Sequence, residues 1–110
     1  MARRGDVLAL RAPAQGASQR VLVLSDDRLN LARDLLIVAP IDGAGEIYEG
    51  SPTAVPLSAE EVGGEEPMVA LMANLHTLPR EAFEPGALGR IKRSTQVRVD
   101  ALLRFVLGVR

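Results

Sequence analysis

The chain contains no cysteine and a single histidine, His76. Without cysteine there is no disulfide framework and no thiol nucleophile, and one histidine cannot supply the usual Cys/His ligand set of a zinc site. Thiol redox chemistry and zinc chemistry of this kind are therefore excluded. Histidine is the side chain that most readily exchanges protons near neutral pH, so His76 becomes a candidate for acid–base chemistry.

Aromatic residues are also scarce, with no Trp, one Tyr and two Phe. Proteins that hold single-stranded nucleic acid stack its bases on aromatic side chains. Tyr48, in a Gly-rich loop, is the one residue placed for such stacking. We expect Phe105, which lies in an apolar helical pattern, to belong to the core.

Long apolar runs are missing as well. No run approaches the ~18 residues that span a bilayer, and Asp6 and Arg11 interrupt the stretch that a signal peptide would need. We therefore expect a cytoplasmic protein with no membrane contact. A length of 110 residues fits a single domain, residues 1–110.

Short runs of Val, Ile and Leu between turn residues predict β-strands. The run Leu35–Ile41 is apolar at almost every position, so we expect it to be the central strand with both faces covered. The predicted strands are Asp6–Leu10, Arg20–Leu24, Leu35–Ile41, Thr53–Leu57, Met68–Leu75 and a short one at Gly89–Ile91.

The last part of the chain changes to a helical period. Ser94 is a suitable N-cap, and from Val97 to Val106 apolar residues recur three and four positions apart. We expect this wide apolar face to pack on the sheet and to leave a part for a subunit interface. The pattern predicts an α+β protein in which a small, curved antiparallel sheet or barrel is closed by a C-terminal helix.

The net charge of −1 hides an uneven distribution. Residues 46–66 carry six Glu and no Lys or Arg, whereas from Leu88 onward Asp100 is the only acid. The basic residues of that last part are Arg90, Lys92, Arg93, Arg98, Arg104 and Arg110. The first three predict a positive patch that attracts a phosphate backbone or an acidic peptide. The alternative is a solvated surface without a partner.

Four segments follow one another in a recognisable order. Arg4–Val7 reads Arg-Gly-Asp-Val, Arg20–Asp27 reads Arg-Val-Leu-Val-Leu-Ser-Asp-Asp, and Ile37–Ile41 reads Ile-Val-Ala-Pro-Ile. Val99–Gly108 reads Val-Asp-Ala-Leu-Leu-Arg-Phe-Val-Leu-Gly. In this order, and almost from end to end, the chain resembles the MazF/PemK family of toxin endoribonucleases. The stretch Asn74–Arg80 resembles a variant of some actinobacterial members.

The resemblance implies a fold, an activity and partners. The fold would be the SH3-like barrel shared with the CcdB gyrase poisons, in a homodimer. The activity would be that of the toxin of a type II toxin–antitoxin module, which cleaves single-stranded RNA at specific sequences without metal or cofactor, the ribose 2′-hydroxyl attacking the adjacent phosphate. A cognate antitoxin with an acidic and hydrophobic tail would be the protein partner.

The catalytic positions depart from the family pattern. Where the family has the Arg of Arg-Pro-Val-Leu-Val and a Thr or Ser ending the third strand, this chain has Gln19 and Asp42. In an active enzyme, Arg20 would replace the missing Arg as the phosphate clamp, and His76 would act as acid or base. Asp42 would orient or polarise one of them. Because strand residues alternate between faces, Arg20 should point away from the site unless a bulge resets the register.

Six further residues are candidate RNA contacts. Asn74 and Thr77 flank His76 in the sequence and can offer hydrogen bonds. The others are Tyr48, Arg90, Lys92 and Arg93. The alternative function is a MazF-like binding module that has lost or attenuated hydrolysis and interacts with an antitoxin or another protein.

Overall fold

The computed structural model describes residues 2–11, 19–32, 34–44, 48 and 50–109. Within these ranges, seven strands form one sheet in which every pair is antiparallel. The strands are β1 (Asp6–Ala9), β2 (Arg20–Val23), β3 (Leu35–Gly43), β4 (Ala54–Leu57), β5 (Met68–Leu71), β6 (His76–Pro79) and β7 (Gly89–Arg90). The helices are α1 (Asp27–Ala32), α2 (Ala59–Val62) and α3 (Arg93–Leu107), with a 3₁₀ turn at Arg80–Ala82.

β3 is the centre of the sheet, as its apolar run predicted. The strand order is β4-β5-β3-β2-β1-β7, and β6 pairs with β3 beyond the end of β5. One edge of β3 therefore bonds to β2 along its middle. The other edge bonds to β5 near Asp42 and to β6 near Leu36. The predicted curved antiparallel sheet with a C-terminal helix is confirmed.

Alternating side chains of the central strands supply two hydrophobic clusters, one on each face of the sheet. On β3, Leu36 and Val38 belong to one cluster, and Ala39 and Ile41 to the other. Helices α2 and α3 cover the second cluster through Val62 and Val99, among other residues. Both faces of β3 are thus buried, as expected for a strand that is apolar at nearly every position.

α3 confirms the helical period but corrects two details of the prediction. It begins one residue before Ser94, with Lys92 as its N-cap and no side-chain cap hydrogen bond. Phe105 is 73% exposed and does not belong to the core. Only Thr95 and Val99 of this helix are buried, because the curled sheet contacts a narrower face of α3 than the apolar pattern suggested.

The predicted strand Met68–Leu75 is wrong in its length. The chain leaves the edge of β3 after Leu71 and returns to that edge at His76. In the turn between them, the N–H of Asn74 donates a hydrogen bond to the carbonyl of Leu71 at 3.1 Å. Met72 is fully buried in a core cluster. The turn therefore keeps an apolar residue inside, and an apolar run alone could not reveal the break.

α2 and β7 close one side of the sheet through two glycines. The chain turns at Gly63, whose φ is 64°, and a Cβ there would lie 2.0 Å from the carbonyl oxygen of Leu88. A Cβ on Gly89 would lie 2.2 Å from the carbonyl oxygen of Glu61. The two backbones therefore approach more closely than any side chain allows. No helix in the described ranges is both long and apolar enough to cross a membrane.

Candidate active site

The two positions that depart from the family pattern lie side by side at one end of the sheet. β2 and β3 pair Arg20 with Ile41, and the same register continued by one residue sets Gln19 opposite Asp42. Both residues are exposed. On its other side Asp42 pairs with Val69 of β5. The sheet end therefore presents an amide and a carboxylate on neighbouring strands.

Asp42 is held by two hydrogen bonds. Its Oδ1 accepts from the backbone N–H of Gly43 at 2.8 Å, and its Oδ2 accepts from the hydroxyl of Tyr48 at 2.8 Å. The hydrogen bond to Asp42 raises the pKa of Tyr48 above its ordinary 10.0, with smaller contributions from burial and from the negative charge of Asp42. The phenol thus stays protonated and fixes the carboxylate. Sequence reasoning assigned Tyr48 to base stacking and missed this contact.

Arg20 points to the opposite face of β2, as the alternation of strand residues predicted. Its cross-strand partner Ile41 is a core residue, and its Nη1 lies 3.9 Å from the sulfur of Met68. Its Nε is buried and has no hydrogen-bond partner in the described part of the chain. The side chain nevertheless stays at the same end of the sheet as Asp42, because Met68 pairs with Gly43.

An open depression of about 500 Å³ lies at this end of the sheet. Its lining residues are Arg20, Gly43, Gly63, Gly64, Glu65, Glu66, Pro67 and Met68. Arg20 supplies the positive charge, and Glu65 and Glu66 supply negative charge at the rim. The depression adjoins Asp42 through Gly43, so Arg20 and the carboxylate lie at the same end of the sheet, although they project from opposite faces.

His76 is separated from Asp42 along the edge of β3. It pairs with Val38, four residues before Asp42, which is a backbone rise of about 13 Å in a strand. Because positions four apart share a face of a strand, His76 and Asp42 project from the same side of the sheet. Asn74 lies in the turn between them. Thr77 pairs with Ile37 and faces the other way, and in the described ranges no hydrogen bond joins it to His76.

Of the three basic residues before α3, one forms an ion pair and two are exposed. Nη1 of Arg90 lies 2.7 Å from Oδ1 of buried Asp6, which compensates its charge. Lys92 caps α3 with its backbone, and Arg93 is the first residue of that helix. Both side chains are exposed. The predicted cluster of three charges is therefore reduced to two. Glu46, Glu49 and Arg110 lie outside the described residues.

The described part of the chain contains no cluster of metal ligands. Among the residues that the structure describes, no three His, Asp or Glu side chains lie close enough together to hold a metal ion. Asp42 has a tyrosine and a backbone amide as its bonded neighbours. This arrangement suits proton transfer and hydrogen bonding to a ligand.

The chain matches a known protein family over nearly its whole length. The model of the PemK-like, MazF-like toxins of type II toxin–antitoxin systems matches residues 3–107. The chain belongs to this family. No curated protein sequence matches it.

Solved structures share the fold of this PemK/MazF-family chain. An endoribonuclease in complex with its cognate antitoxin, from Mycobacterial species, superposes with a TM-score of 0.80 at 18% identity, covering 100% of this chain and 98% of the other. The Mycobacterium tuberculosis toxin MazF-mt6 gives 0.78 at 20% identity, covering 96% and 98%. A MazE–MazF structure from Deinococcus radiodurans gives 0.76 at 21% identity, covering 99% and 98%. The match covers nearly the whole length of each of these structures, so the chain has their fold.

Proposed function

We propose that this toxin-family chain is a sequence-specific endoribonuclease that cleaves single-stranded RNA without a metal ion. The observation that carries the proposal is the exposed Asp42 carboxylate, held by Tyr48 and adjoining Gln19 and Arg20, in a chain that matches the toxin family from residue 3 to residue 107. Similar structures that are endoribonucleases support it. They also make the alternative of a binding module without hydrolysis less favoured.

Asp42 is the proposed general base. The ribose 2′-hydroxyl transfers its proton to the carboxylate, its oxygen attacks the adjacent phosphorus, and the bond from phosphorus to the 5′-oxygen breaks. The 5′-oxygen takes up a proton as it leaves. The products are a 2′,3′-cyclic phosphate and a 5′-hydroxyl. Oδ1 and Oδ2 each accept one hydrogen bond, from the Gly43 N–H and the Tyr48 hydroxyl, and each keeps a second lone pair that can accept the proton of the 2′-hydroxyl.

The negative charge of Asp42 opposes a phosphate, so the site needs compensating groups. Arg20 lines the depression beside Gly43 and supplies a permanent positive charge to a phosphate seated there. The Gln19 amide, one residue earlier on β2, supplies a neutral hydrogen-bond donor. In this arrangement Arg20 takes over the role of the family's arginine from the other face of the strand.

His76 is the proposed general acid. It projects on the same side of the sheet as Asp42, and its exposed imidazole can extend along the edge of β3 toward the 5′-oxygen of a phosphate bound at Asp42. In this proposal Asn74, in the turn between Asp42 and His76, contacts the RNA strand, and Thr77 lies beyond His76. Lys92 and Arg93 lie at the start of α3 and contribute attraction to the phosphate backbone.

We also propose the partners that the family suggests, a homodimer and a cognate antitoxin with an acidic and hydrophobic tail. The MazE–MazF complexes among the similar structures support the antitoxin. Light scattering of the purified chain at micromolar concentration tests the homodimer. A species of only 11.8 kDa contradicts the homodimer.

The decisive experiment is cleavage of single-stranded RNA of mixed sequence by the purified chain, with and without EDTA. The new ends of the RNA fragments are then identified. We expect cleavage in both conditions and a cyclic or 3′-phosphate at the upstream end. Asp42→Asn should slow it by a factor of about 10²–10⁴. The matched control is Asp34→Asn, because Asp34 is also exposed but lies next to the opposite end of β3. An inactive wild-type chain, or a 3′-hydroxyl product, contradicts the proposal.

A further inference from the structure

The outer edge of β6 is open. β6 pairs with β3 on one side, and within the described ranges no strand pairs with its other side. Its residues are His76, Thr77, Leu78 and Pro79, and all except Leu78 are exposed. An open edge presents unpaired backbone N–H and C=O groups, which can bind another molecule. The groups that this edge presents therefore decide what can bind to it.

The hydrogen bonds of β3 fix which backbone groups of β6 point outward. In an antiparallel pair, opposite residues alternate between exchanging two hydrogen bonds and exchanging none. Ile37 lies opposite Thr77 but uses its backbone groups on the β2 side. Its N–H donates to Oγ of Ser25 at 3.2 Å, and its carbonyl accepts from the N–H of Leu24 at 2.9 Å. Thr77 therefore exchanges no hydrogen bond with β3, and its own N–H and C=O point outward.

Pro79 is the next residue of β6 whose backbone faces outward, because outward positions recur at every second residue of a strand. It supplies a carbonyl but no N–H, and a proline is tolerated at such a position because no ladder hydrogen bond is lost. Thr77 consequently has the only outward N–H of β6. The edge offers one donor with one acceptor beside it, rather than a repeating series.

A single donor–acceptor pair suits one nucleotide base better than a second strand. A partner strand needs N–H and C=O groups that repeat along the edge, and Pro79 interrupts the series after Thr77. The Watson–Crick edge of each RNA base, in contrast, places a hydrogen-bond donor next to an acceptor. The N–H of Thr77 can donate to that acceptor, and its C=O can accept from that donor. Only an unpaired base exposes this edge.

The position of Thr77 next to the proposed active site identifies the nucleotide. Thr77 follows His76, the proposed general acid, which protonates the leaving 5′-oxygen. The nucleotide that carries this oxygen therefore lies along β6. We propose that the backbone N–H and C=O of Thr77 bind the Watson–Crick edge of the base immediately 3′ of the scissile phosphate, which requires this base to be unpaired. The inference rests on the proposed RNA cleavage.

The probe is a short single-stranded RNA that contains one site cleaved by the wild-type chain. A modified RNA carries a methyl group on the ring nitrogen of the Watson–Crick edge, at the base immediately 3′ of the cut. A control RNA carries the same methyl group on a base near its 3′ end. We expect the wild type to cleave the modified RNA at least about tenfold more slowly than the unmodified RNA, because the hydrogen bonds to one base are lost. The control RNA should be cleaved at the unmodified rate.

A proline variant locates the contact on the protein. Thr77→Pro removes the outward N–H but no hydrogen bond to β3, and Pro79 shows that β6 accepts proline at an outward position. This variant should cleave the unmodified RNA at least about tenfold more slowly than the wild type. It should also reduce the ratio between the unmodified and modified rates. Thr77→Val keeps the N–H, so it should keep that ratio.

Circular dichroism and thermal unfolding show whether both variants are folded. The modified RNA tests the wild-type chain directly, so the inference remains testable if Thr77→Pro does not fold. Fluorescence anisotropy of the labelled RNAs, measured in parallel, separates the inference from the proposed function. A wild-type chain that binds these RNAs without cleaving them contradicts the proposed cleavage, and the ratio of their affinities then tests Thr77.

Three results would overturn the inference without contradicting RNA cleavage. The first is an equal rate and affinity of the wild type for the unmodified and modified RNAs. The second is a ratio that a folded Thr77→Pro variant leaves unchanged. The third is conversion of a dimer to a monomer by Thr77→Pro, which would make the edge of β6 a contact between copies of the chain. A wild type that neither binds nor cleaves the RNAs would overturn both the inference and the proposed function.

Discussion

The buried carboxylate of Glu61 accepts a hydrogen bond from the backbone N–H of Lys92 at 2.9 Å, which joins the short helix α2 to the N-cap of α3. Its other oxygen accepts from the backbone N–H of Ser58 at 2.9 Å, and Ser58 Oγ accepts in return from the Glu61 N–H. Burial alone would raise the pKa of Glu61, but the hydrogen bonds from Ser58, Lys92 and Thr95 outweigh it and lower the pKa below the ordinary 4.5.

Glu61→Ala should lower the free energy of unfolding by about 1.5–3 kcal/mol, because it leaves buried N–H groups without the charged acceptor. Urea denaturation followed by circular dichroism measures this. Glu60→Ala is the matched control, since Glu60 is the exposed neighbour on the same helix. Equal losses in the two variants would show that the link between α2 and α3 contributes nothing specific.

The same carboxylate predicts a pH dependence. Because the pKa of Glu61 is lower in the folded chain than in the unfolded chain, its stabilising contribution is complete well above pH 4.5. It is lost as the pH falls below 4.5 and through the folded-state pKa. Stability measured from pH 7 to pH 3 should therefore fall less in Glu61→Gln than in the wild type. Parallel curves would contradict the assignment.

Three glycine substitutions should distinguish the cost of a strained backbone angle from the cost of a steric clash. Gly43→Ala introduces neither a strained angle nor a clash and should change the free energy of unfolding by less than about 0.5 kcal/mol. Gly50→Ala meets no atom within 4 Å but has a φ of 76°, so it should cost about 1–2 kcal/mol. Gly63→Ala adds a clash with the Leu88 carbonyl and should cost about 3–5 kcal/mol. Thermal unfolding of the three variants measures the series, and equal losses at Gly50 and Gly63 would argue against the close approach.

Tyr48 can be titrated directly, because the chain has one tyrosine and no tryptophan. The near-ultraviolet phenolate absorption should appear at a pH above 10.0 in the wild type, since the hydrogen bond to Asp42 raises the pKa of the phenol. In Asp42→Ala the midpoint should move down toward 10.0. Glu65→Ala serves as the control for a general loss of negative charge at this end of the sheet. An unchanged midpoint in Asp42→Ala would disprove the contact.

RNA cleavage should depend on both Arg20 and His76. Arg20→Ala removes the positive charge beside the depression and should slow cleavage by a factor of about 10²–10³. His76→Ala removes the proton donor and should cost about 10²–10⁴. Single-turnover rates measure both, with Arg28→Ala as the control for loss of a surface arginine. Full rates in both variants would leave the catalytic assignment without support.

The sequence predicted the strands well where alternation and burial dominate, as in β1, β2 and β3. It also predicted the direction of Arg20, because neighbouring residues of a strand must point to opposite faces. α2 was missed although its capping box is legible in the sequence, with Ser58 followed three residues later by Glu61.

Other features depend on tertiary contacts that no local pattern carries. The break after Leu71 follows from the curl of the sheet. The pairing of Arg90 with Asp6 joins residues far apart in the chain. The hydrogen bond from Tyr48 to Asp42 depends on the path of a loop, and the exposure of Phe105 depends on how much of α3 the sheet covers.

The position of β3 between two hydrophobic clusters affects how the molecule unfolds. Val38 and Ala39 are neighbours in the chain, yet each is fully buried in a different hydrophobic cluster. A movement that releases either residue from its cluster must rotate the backbone shared with the other, so neither cluster can loosen alone. The strand therefore couples the two halves of the core into one cooperative foldon.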